Sequence, residues 1–517
     1  MEKVVNSLDK DQNGKDQLDQ DPPLEDGKTQ PSKYLNIKKF HFVMLLFLTV
    51  MTTAIVLIFA LSFGDEKAVT VVTPERNEFS KLYEAYDTIN DKYFMEIDQE
   101  ELVNGAINGM LDALEDPYSD YMNQEEAAQF QENISSSFQG IGAEIQSLDG
   151  VISVVSPIKG SPAEKAGILP NDKILAVDDK SIQGMSANEA VLLIRGEKGT
   201  DVSLTIQRAG MQETMDITIT RDDIPIDTVY YEMDENKVAT IQLTSFSEST
   251  YDELTAALED LESQDMKAII LDLRQNPGGL LPQAISIANL FVPEGETILQ
   301  VEEKSGEKQM MAAQAGEKID LPVTVLIDEG SASASEIVAA ALSETVSIPL
   351  VGQTSFGKGT VQTAEEFSDS SNMKFTTARW LTPDGNWIHE DGIKPDKEVA
   401  LPAYAFLPIL NAEVELKKSM LSEQVKVAEQ MLEALGFNPG NVDGLFDEET
   451  VAAVESFQEQ NDLEVTGVIN AETAATIMFK LREFLQENDP QVKAATDLLL
   501  NGLGITPENT EEKEDAA

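Results

Sequence analysis

Residues 321–342 read Leu321-Pro322-Val323-Thr324-Val325-Leu326-Ile327-Asp328-Glu329-Gly330-Ser331-Ala332-Ser333-Ala334-Ser335-Glu336-Ile337-Val338-Ala339-Ala340-Ala341-Leu342. The short apolar run to Ile327 predicts a buried strand, Gly330 and the small residues after it a turn, and Ile337 to Leu342 a helix. The same step occurs upstream. Lys267 to Leu273 predicts a strand, Arg274-Gln275-Asn276-Pro277-Gly278-Gly279 a turn, and a helix follows through Leu290. Strands and helices alternating from about 224 to 400 place this region in the α/β class. Free N–H groups at such a helix start favour negative charge. A serine there can attack a carbonyl whose oxygen, becoming an oxyanion, lies within reach of those donors.

A serine nucleophile needs a base. Phe356-Gly357-Lys358-Gly359-Thr360-Val361-Gln362 offers one: on a strand Lys358, Thr360 and Gln362 share a face. Lysine acts as a base only when neutral, which burial favours, and an amide can hold it in place. His389 is the rival base. The only other histidine, His41, borders an apolar span.

Composition narrows the chemistry. In 517 residues there is no cysteine, which excludes a thiol nucleophile, a disulfide framework and Cys/His zinc sites. No calcium-loop motif appears, and neither metal nor cofactor is expected. The net charge of −56 repels phosphate backbones and argues against nucleic acid.

Working outward, residues 1–41 are polar and predict a disordered segment. Phe42 to Leu61 is a charge-free run of 20 residues, about 30 Å as a helix, the thickness of a bilayer core. Lys28, Lys33, Lys38 and Lys39 precede it, whereas Lys67 and Arg76 follow, so the positive-inside rule predicts a cytoplasmic N-terminus and a single-pass membrane protein whose bulk lies outside the cell. A cleaved signal peptide, with Ala60-Leu61-Ser62 as its cleavage pattern, is the alternative. Helical spacing of Phe79, Leu82, Tyr83, Tyr86 and Ile89, and again of Leu102, Ile107, Met110, Leu111 and Leu114, predicts a helical segment over 79–133.

Residues 137–210 alternate like strands, with a helix from Ala187 to Ile194. This block resembles a PDZ domain, and Gly140-Ile141-Gly142-Ala143 matches that family's carboxylate-binding loop. In such a loop backbone N–H groups converge on a peptide's terminal carboxylate while the peptide adds as a strand. The block carries 7 basic and 9 acidic residues, far closer to neutral than the chain as a whole, which eases capture of an anionic tail.

The stretch from about Phe79 to Leu401 resembles a carboxyl-terminal processing, or tail-specific, protease. The resemblance rests on Asp116-Pro117-Tyr118-Ser119, the PDZ block, Asp272 to Gly279, Gly330 to Glu336, Gly357 to Gln362 and Ile388 to Asp396, in this order. It implies a crotonase-like core over 224–402, with Ser333 as nucleophile, Lys358 as general base and Gln362 as its orienting partner. It also implies an oxyanion hole from the N–H groups of Gly279 and Ala334. Ser331 and Ser335 then read as turn and cap residues, and Arg274 and His389 as structural. The implied substrates are proteins with free C-termini; a homo-oligomer is compatible with this.

Asp443-Gly444-Leu445-Phe446-Asp447-Glu448-Glu449-Thr450 recurs 23 residues later as Thr466-Gly467-Val468-Ile469-Asn470-Ala471-Glu472-Thr473. Residues 421–480 resemble a peptidoglycan-binding-like module of three helices, which implies cell-wall peptidoglycan as a partner. Asp447 and Thr466 depart from the usual pattern, and the block holds 2 basic against 12 acidic residues. Residues 488–517 read as an acidic, partly disordered tail. The competing reading is a non-catalytic scaffold built from the PDZ and C-terminal modules.

Overall fold

The computed structural model describes residues 39–63 and 77–505, apart from 149, 209–210, 212–213 and 413. Most of the segment 1–41, the lysines at 28, 33, 38 and 67, Arg76 and the end of the acidic tail lie outside the described residues. The chain falls into two compact units, 1–95 and 96–517.

In the first unit the helix Lys39–Phe63 covers the apolar run. Its threonines turn their hydroxyls inward: Thr49 donates to the Leu45 carbonyl at 3.0 Å, Thr52 to Leu48 at 2.8 Å and Thr53 to Thr49 at 2.6 Å. Among the residues whose side chains are described, which in this helix end at Ala54, no helix is long and apolar enough to cross a membrane. A second helix, Ser80–Lys92, follows.

The second unit opens with the helix Gln99–Asp112, capped by Asp98, the short strand Asp120–Met122 and the helix Gln124–Ser135, whose capping box pairs Asn123 with Glu126. Next comes an antiparallel sheet in the order Ala143–Leu148, Val151–Pro157, Lys173–Val177, Asp201–Gln207 and Met215–Thr220. The helix Ala187–Ile194 has the bounds expected from the sequence, and Ser186 and Glu189 open it with a capping box. The pairing of Ser137–Gly140 with Asp222–Pro225 joins the two ends of this module.

The larger α/β region is built on a six-stranded sheet in the order Val229–Met233, Val238–Leu243, Ala268–Asp272, Val323–Ile327, Leu350–Gly352 and Lys397–Glu398. The first pair is antiparallel and the rest parallel. Every residue of the two middle strands is buried, as expected of parallel strands covered on both faces. One face packs under helices Thr250–Ser263, Leu281–Ala288 and Ala334–Ala340. A second, antiparallel sheet is centred on Asn372–Leu381, which pairs with Asp120–Met122, Thr297–Glu303 and Thr360–Glu366.

The other face differs from the reading of 488–517 as a tail. Pro490–Leu503 is a helix, capped by Asp489, that lays Ala494, Ala495, Leu499 and Leu500 on Val238, Ala268, Ile270, Leu326 and Val351. Arg274 ties it down, with bonds to Asp272 at 2.7 and 2.9 Å, to Asp489 at 2.6 Å and to Gln491 at 2.8 Å. Its guanidinium is nearly buried and held above its ordinary pKa against the cost of burial by these carboxylates.

Helices Glu423–Ala434, Glu448–Gln460 and Ala471–Glu487 form the C-terminal module around Phe446, Val454, Phe457 and Ile477. The sequence repeat has a structural cause. Asp447 and Asn470 each cap a helix. Buried Glu429 accepts the Gly444 N–H (2.9 Å) and the Thr450 hydroxyl, while Gln458 accepts the Gly467 N–H (3.0 Å) and donates to the Thr473 hydroxyl. Asp447 thus serves helix initiation.

Leu500→Ala should cost about 2–5 kcal/mol by opening a cavity under the sheet. Arg274→Ala should cost about 3 kcal/mol or more by leaving buried carboxylates unpaired. Urea unfolding followed by the fluorescence of buried Trp380 reads both; unmoved midpoints would mean that the last helix merely rests on the sheet.

Candidate active site

The two strand–turn–helix steps meet because their turns are sewn together. The Ser331 hydroxyl donates to the Leu273 carbonyl at 2.8 Å, and that of Ser335 to the Asn276 carbonyl at 2.9 Å. Asn276 holds the Leu243 carbonyl and the Gly278 N–H, and Asp328 accepts from both the backbone and the side chain of Gln275. The turns approach so closely that a Cβ on Gly278 would lie 2.7 Å from the Ala332 carbonyl oxygen and 2.9 Å from the Ser333 Cβ. Ser331 is therefore a turn residue and Ser335 lies in the first turn of the helix Ala334–Ala340, both buried and donating to the backbone.

Ser333 stands at the crest of this turn with φ 54° and ψ −109°, a conformation that a side chain rarely adopts and that persists only where its surroundings enforce it. Its N–H donates to the Glu336 carboxylate at 2.8 Å. That N–H is spent, whereas Ala334 opens the helix, where N–H groups have no intrahelical partner, and the Gly279 N–H takes no described acceptor. Gly279, Ser333, Ala334, Lys358 and Gln362 all line one cleft of about 460 Å³, with Phe130, Ile134, Leu281, Ile337 and Trp380 as its apolar walls.

Lys358 reaches the cleft from just before the strand Thr360–Glu366. Simple alternation from 358 to 362 does not hold. The strand starts after Lys358, and its register against Asn372–Leu381 shifts between Val361 and Gln362. Such an irregularity re-aims side chains. Gln362 donates to the hydroxyls of Thr360 (2.9 Å) and Thr376 (3.1 Å). No described hydrogen bond joins Lys358 to Ser333 or to Gln362; its ammonium instead lies 4.9 Å from the centre of the Tyr118 ring. Burial pushes the Lys358 pKa below the usual lysine value, Lys374 adds to this, and Asp116 and Glu336 oppose it.

The sequence reading missed Glu336 as a site residue. Its fully buried carboxylate accepts the N–H groups of Ser333 (2.8 Å), Gly357 (2.6 Å) and Lys358 (2.8 Å) and the Ser355 hydroxyl (2.6 Å). One side chain thereby fixes the nucleophile turn to the lysine segment. The Ser-x-x-Glu spacing of a capping box is the signal that could have found it. The Asp116-Pro117-Tyr118-Ser119 motif also comes to the site, although it lies more than 200 residues upstream. The Ser119 hydroxyl bridges Asp116 and the Thr376 N–H.

His389 does not line the cleft. Its Nδ1 accepts the Gly359 N–H at 3.3 Å, and its ring stacks on Trp387 at 5.1 Å. The loop Gly140-Ile141-Gly142-Ala143 lines a separate pocket of about 110 Å³ with Ile145, Val191 and Ile194. Gly142 takes φ 74°, and the N–H groups of Ile141 and Gly142 have no described acceptor. Arg195 borders this pocket, lies 4.7 Å over the Phe138 ring and pairs with Glu132 at 3.0 Å.

Comparison with known proteins agrees with this layout. Residues 237–399 match peptidase family S41, and 139–219 a PDZ domain. Residues 62–126 match the N-terminal domain of the activating protease CtpB, and 422–477 a peptidoglycan binding domain. The carboxy-terminal processing protease CtpA of Bacillus subtilis is 50% identical over 82% of this chain and 90% of its own. CtpB of the same organism is 43% identical over 80% and 88%. Among solved structures, the photosystem II D1 C-terminal processing protease is 28% identical over 62% of this chain and 86% of its own, with a TM-score of 0.38. This chain belongs to the carboxy-terminal processing proteases of peptidase family S41, serine-type peptidases, and carries a PDZ domain.

Proposed function

We propose that this protease is a membrane-tethered endopeptidase in which Ser333 and Lys358 form the catalytic dyad, acting on the C-terminal regions of extracytoplasmic proteins. The observation that carries the reading is the convergence, in one cleft, of a serine on a strained crest and a lysine whose burial favours its neutral form. Ser333 Oγ attacks the peptide carbonyl as Lys358 Nζ takes its proton. The N–H groups of Gly279 and Ala334 hold the oxyanion. The ammonium returns the proton to the leaving amine, and the acyl-enzyme forms. Water then attacks it with Lys358 again as base, the bond between Ser333 Oγ and the acyl carbon breaks as the ammonium returns the proton to Oγ, and the new C-terminus is released. Gln362 orients the lysine once Nζ turns inward, and the Gly140 to Ala143 loop takes the terminal carboxylate of the substrate tail.

The helix Lys39–Phe63 serves as the anchor, and its internally satisfied threonines suit a lipid environment. The cell wall is the proposed partner of the module over 421–480.

Ser333→Ala and Lys358→Ala should each lower cleavage of an unstructured protein such as casein by about 10³-fold or more while the fold persists. Activity should rise with pH as the ammonium is lost, with its midpoint below the ordinary lysine value because burial depresses it. Retained cleavage in either variant, or a flat profile, would refute the dyad. Glu336→Gln replaces one carboxylate oxygen by an amide donor and so faces two of the four donors with an N–H group, and acylation of Ser333 by a serine-reactive label should slow about tenfold or more. For the anchor, protease added to intact cells should digest an epitope placed after residue 505 and spare one at the N-terminus; the reverse pattern would overturn the orientation.

A further inference from the structure

Lys358 has a fixed backbone and a side chain held by something other than hydrogen bonds. The Lys358 carbonyl accepts the Trp380 indole N–H at 2.8 Å, and its N–H goes to Glu336. The next residue, Gly359, gives its N–H to His389 and accepts the Trp387 indole N–H at 2.9 Å. Only the side-chain torsions of Lys358 remain to move its nitrogen. No described hydrogen bond ends on that nitrogen; the face of Tyr118 lies 4.9 Å away.

The ring is placed as firmly as the lysine. Asp116 accepts the Tyr118 N–H at 3.1 Å and the Ser119 hydroxyl at 2.5 Å, and the same hydroxyl accepts the Thr376 N–H at 3.1 Å. This locks the turn to Asn372–Leu381, the strand that pairs with Thr360–Glu366 just after the lysine. The Tyr118 ring also meets His389 edge-on at 6.1 Å. We propose that Tyr118 is a positioning residue for Lys358, whose ring face docks the ammonium and sets where on the pH scale the base is released.

A ring face attracts a cation through its quadrupole, most strongly where water is excluded. The contact therefore favours the charged lysine and opposes burial, which favours the neutral one. The other titratable groups facing this pair are Lys374 from the adjacent strand, Asp116 from the turn and Glu336 from the nucleophile helix, with Glu390 and the His389 ring beside the tyrosine. The phenol itself is raised above its ordinary pKa by burial and by Glu336, Asp116 and Glu390, so the ring stays neutral through the working range. Catalysis needs Lys358 to leave this face as a free base, and the ring opposes that departure.

The inference rests on Lys358 as the base, and its test keeps the two claims apart. Full-length protein is labelled with acetic anhydride across a pH series, and acetylation of Lys358 is quantified by mass spectrometry. Tyr118→Leu keeps an apolar wall but removes the ring; the titration of Lys358 should move about half to one unit lower. Tyr118→Phe keeps the ring and should leave it in place. A titration in Tyr118→Leu that is unmoved or higher overturns the inference. The rising limb of kcat/KM should move with the label. A label that moves without the limb supports the Tyr118 contact and refutes Lys358 as base. Should Tyr118→Leu lose its cooperative unfolding transition, Ser119→Ala, which frees the turn while keeping the ring, should shift Lys358 in the same direction by a smaller amount. No shift there is a refutation.

Discussion

A carboxylate taken out of water must be met by donors, or it neutralises and its site reorganises. Glu336 is met by four, drawn from the nucleophile turn and from the segment that carries the lysine. Its demand for donors aligns two stretches that share no strand pairing with each other. The strain at Ser333 persists because this carboxylate, the Ser331 and Ser335 hydroxyls and the close approach of Gly278 leave the turn no room to relax. Consuming the Ser333 N–H also decides which backbone donors remain for an oxyanion.

The parts of this architecture legible in the sequence are those with local causes. The strand Val323–Ile327 and its turn follow from an apolar run broken by Gly330. Ser333, Lys358 and Gln362, which the family resemblance singles out by motif order, are gathered by the structure in one cleft. The geometry between them was not legible, because the register shift at Gln362 arises from pairing with Asn372–Leu381. The last helix was obscured by its acidic neighbourhood: charge reads as solvation, although Ala494, Ala495, Leu499 and Leu500 recur at helical spacing. Tyr118 and Glu336 are ordinary by type. Only long-range contacts reveal what they touch.

The helix Gln124–Ser135 lies between the two candidate binding surfaces. Its Glu132 pairs with Arg195 at the rim of the PDZ pocket, while Phe130 and Ile134 wall the cleft. The Glu248 N–H bonds to the Ile134 carbonyl and the Ile226 N–H to that of Ser136, so the helix end is fixed to the α/β region. A displacement of Arg195 thus meets a rigid element that also shapes the cleft.

Arg274 and Asp489 are 215 positions apart, and the face they close holds the strands that carry both site turns. Loop-closure entropy makes so distant a contact form late. As the chain emerges from its N-terminus, one side of the catalytic sheet stays uncovered until the final helix arrives. An interrupted chain therefore presents an open apolar sheet, prone to association and to degradation, in place of a finished protease. Synthesis through Pro490–Leu503 becomes a condition for this face of the sheet to be covered.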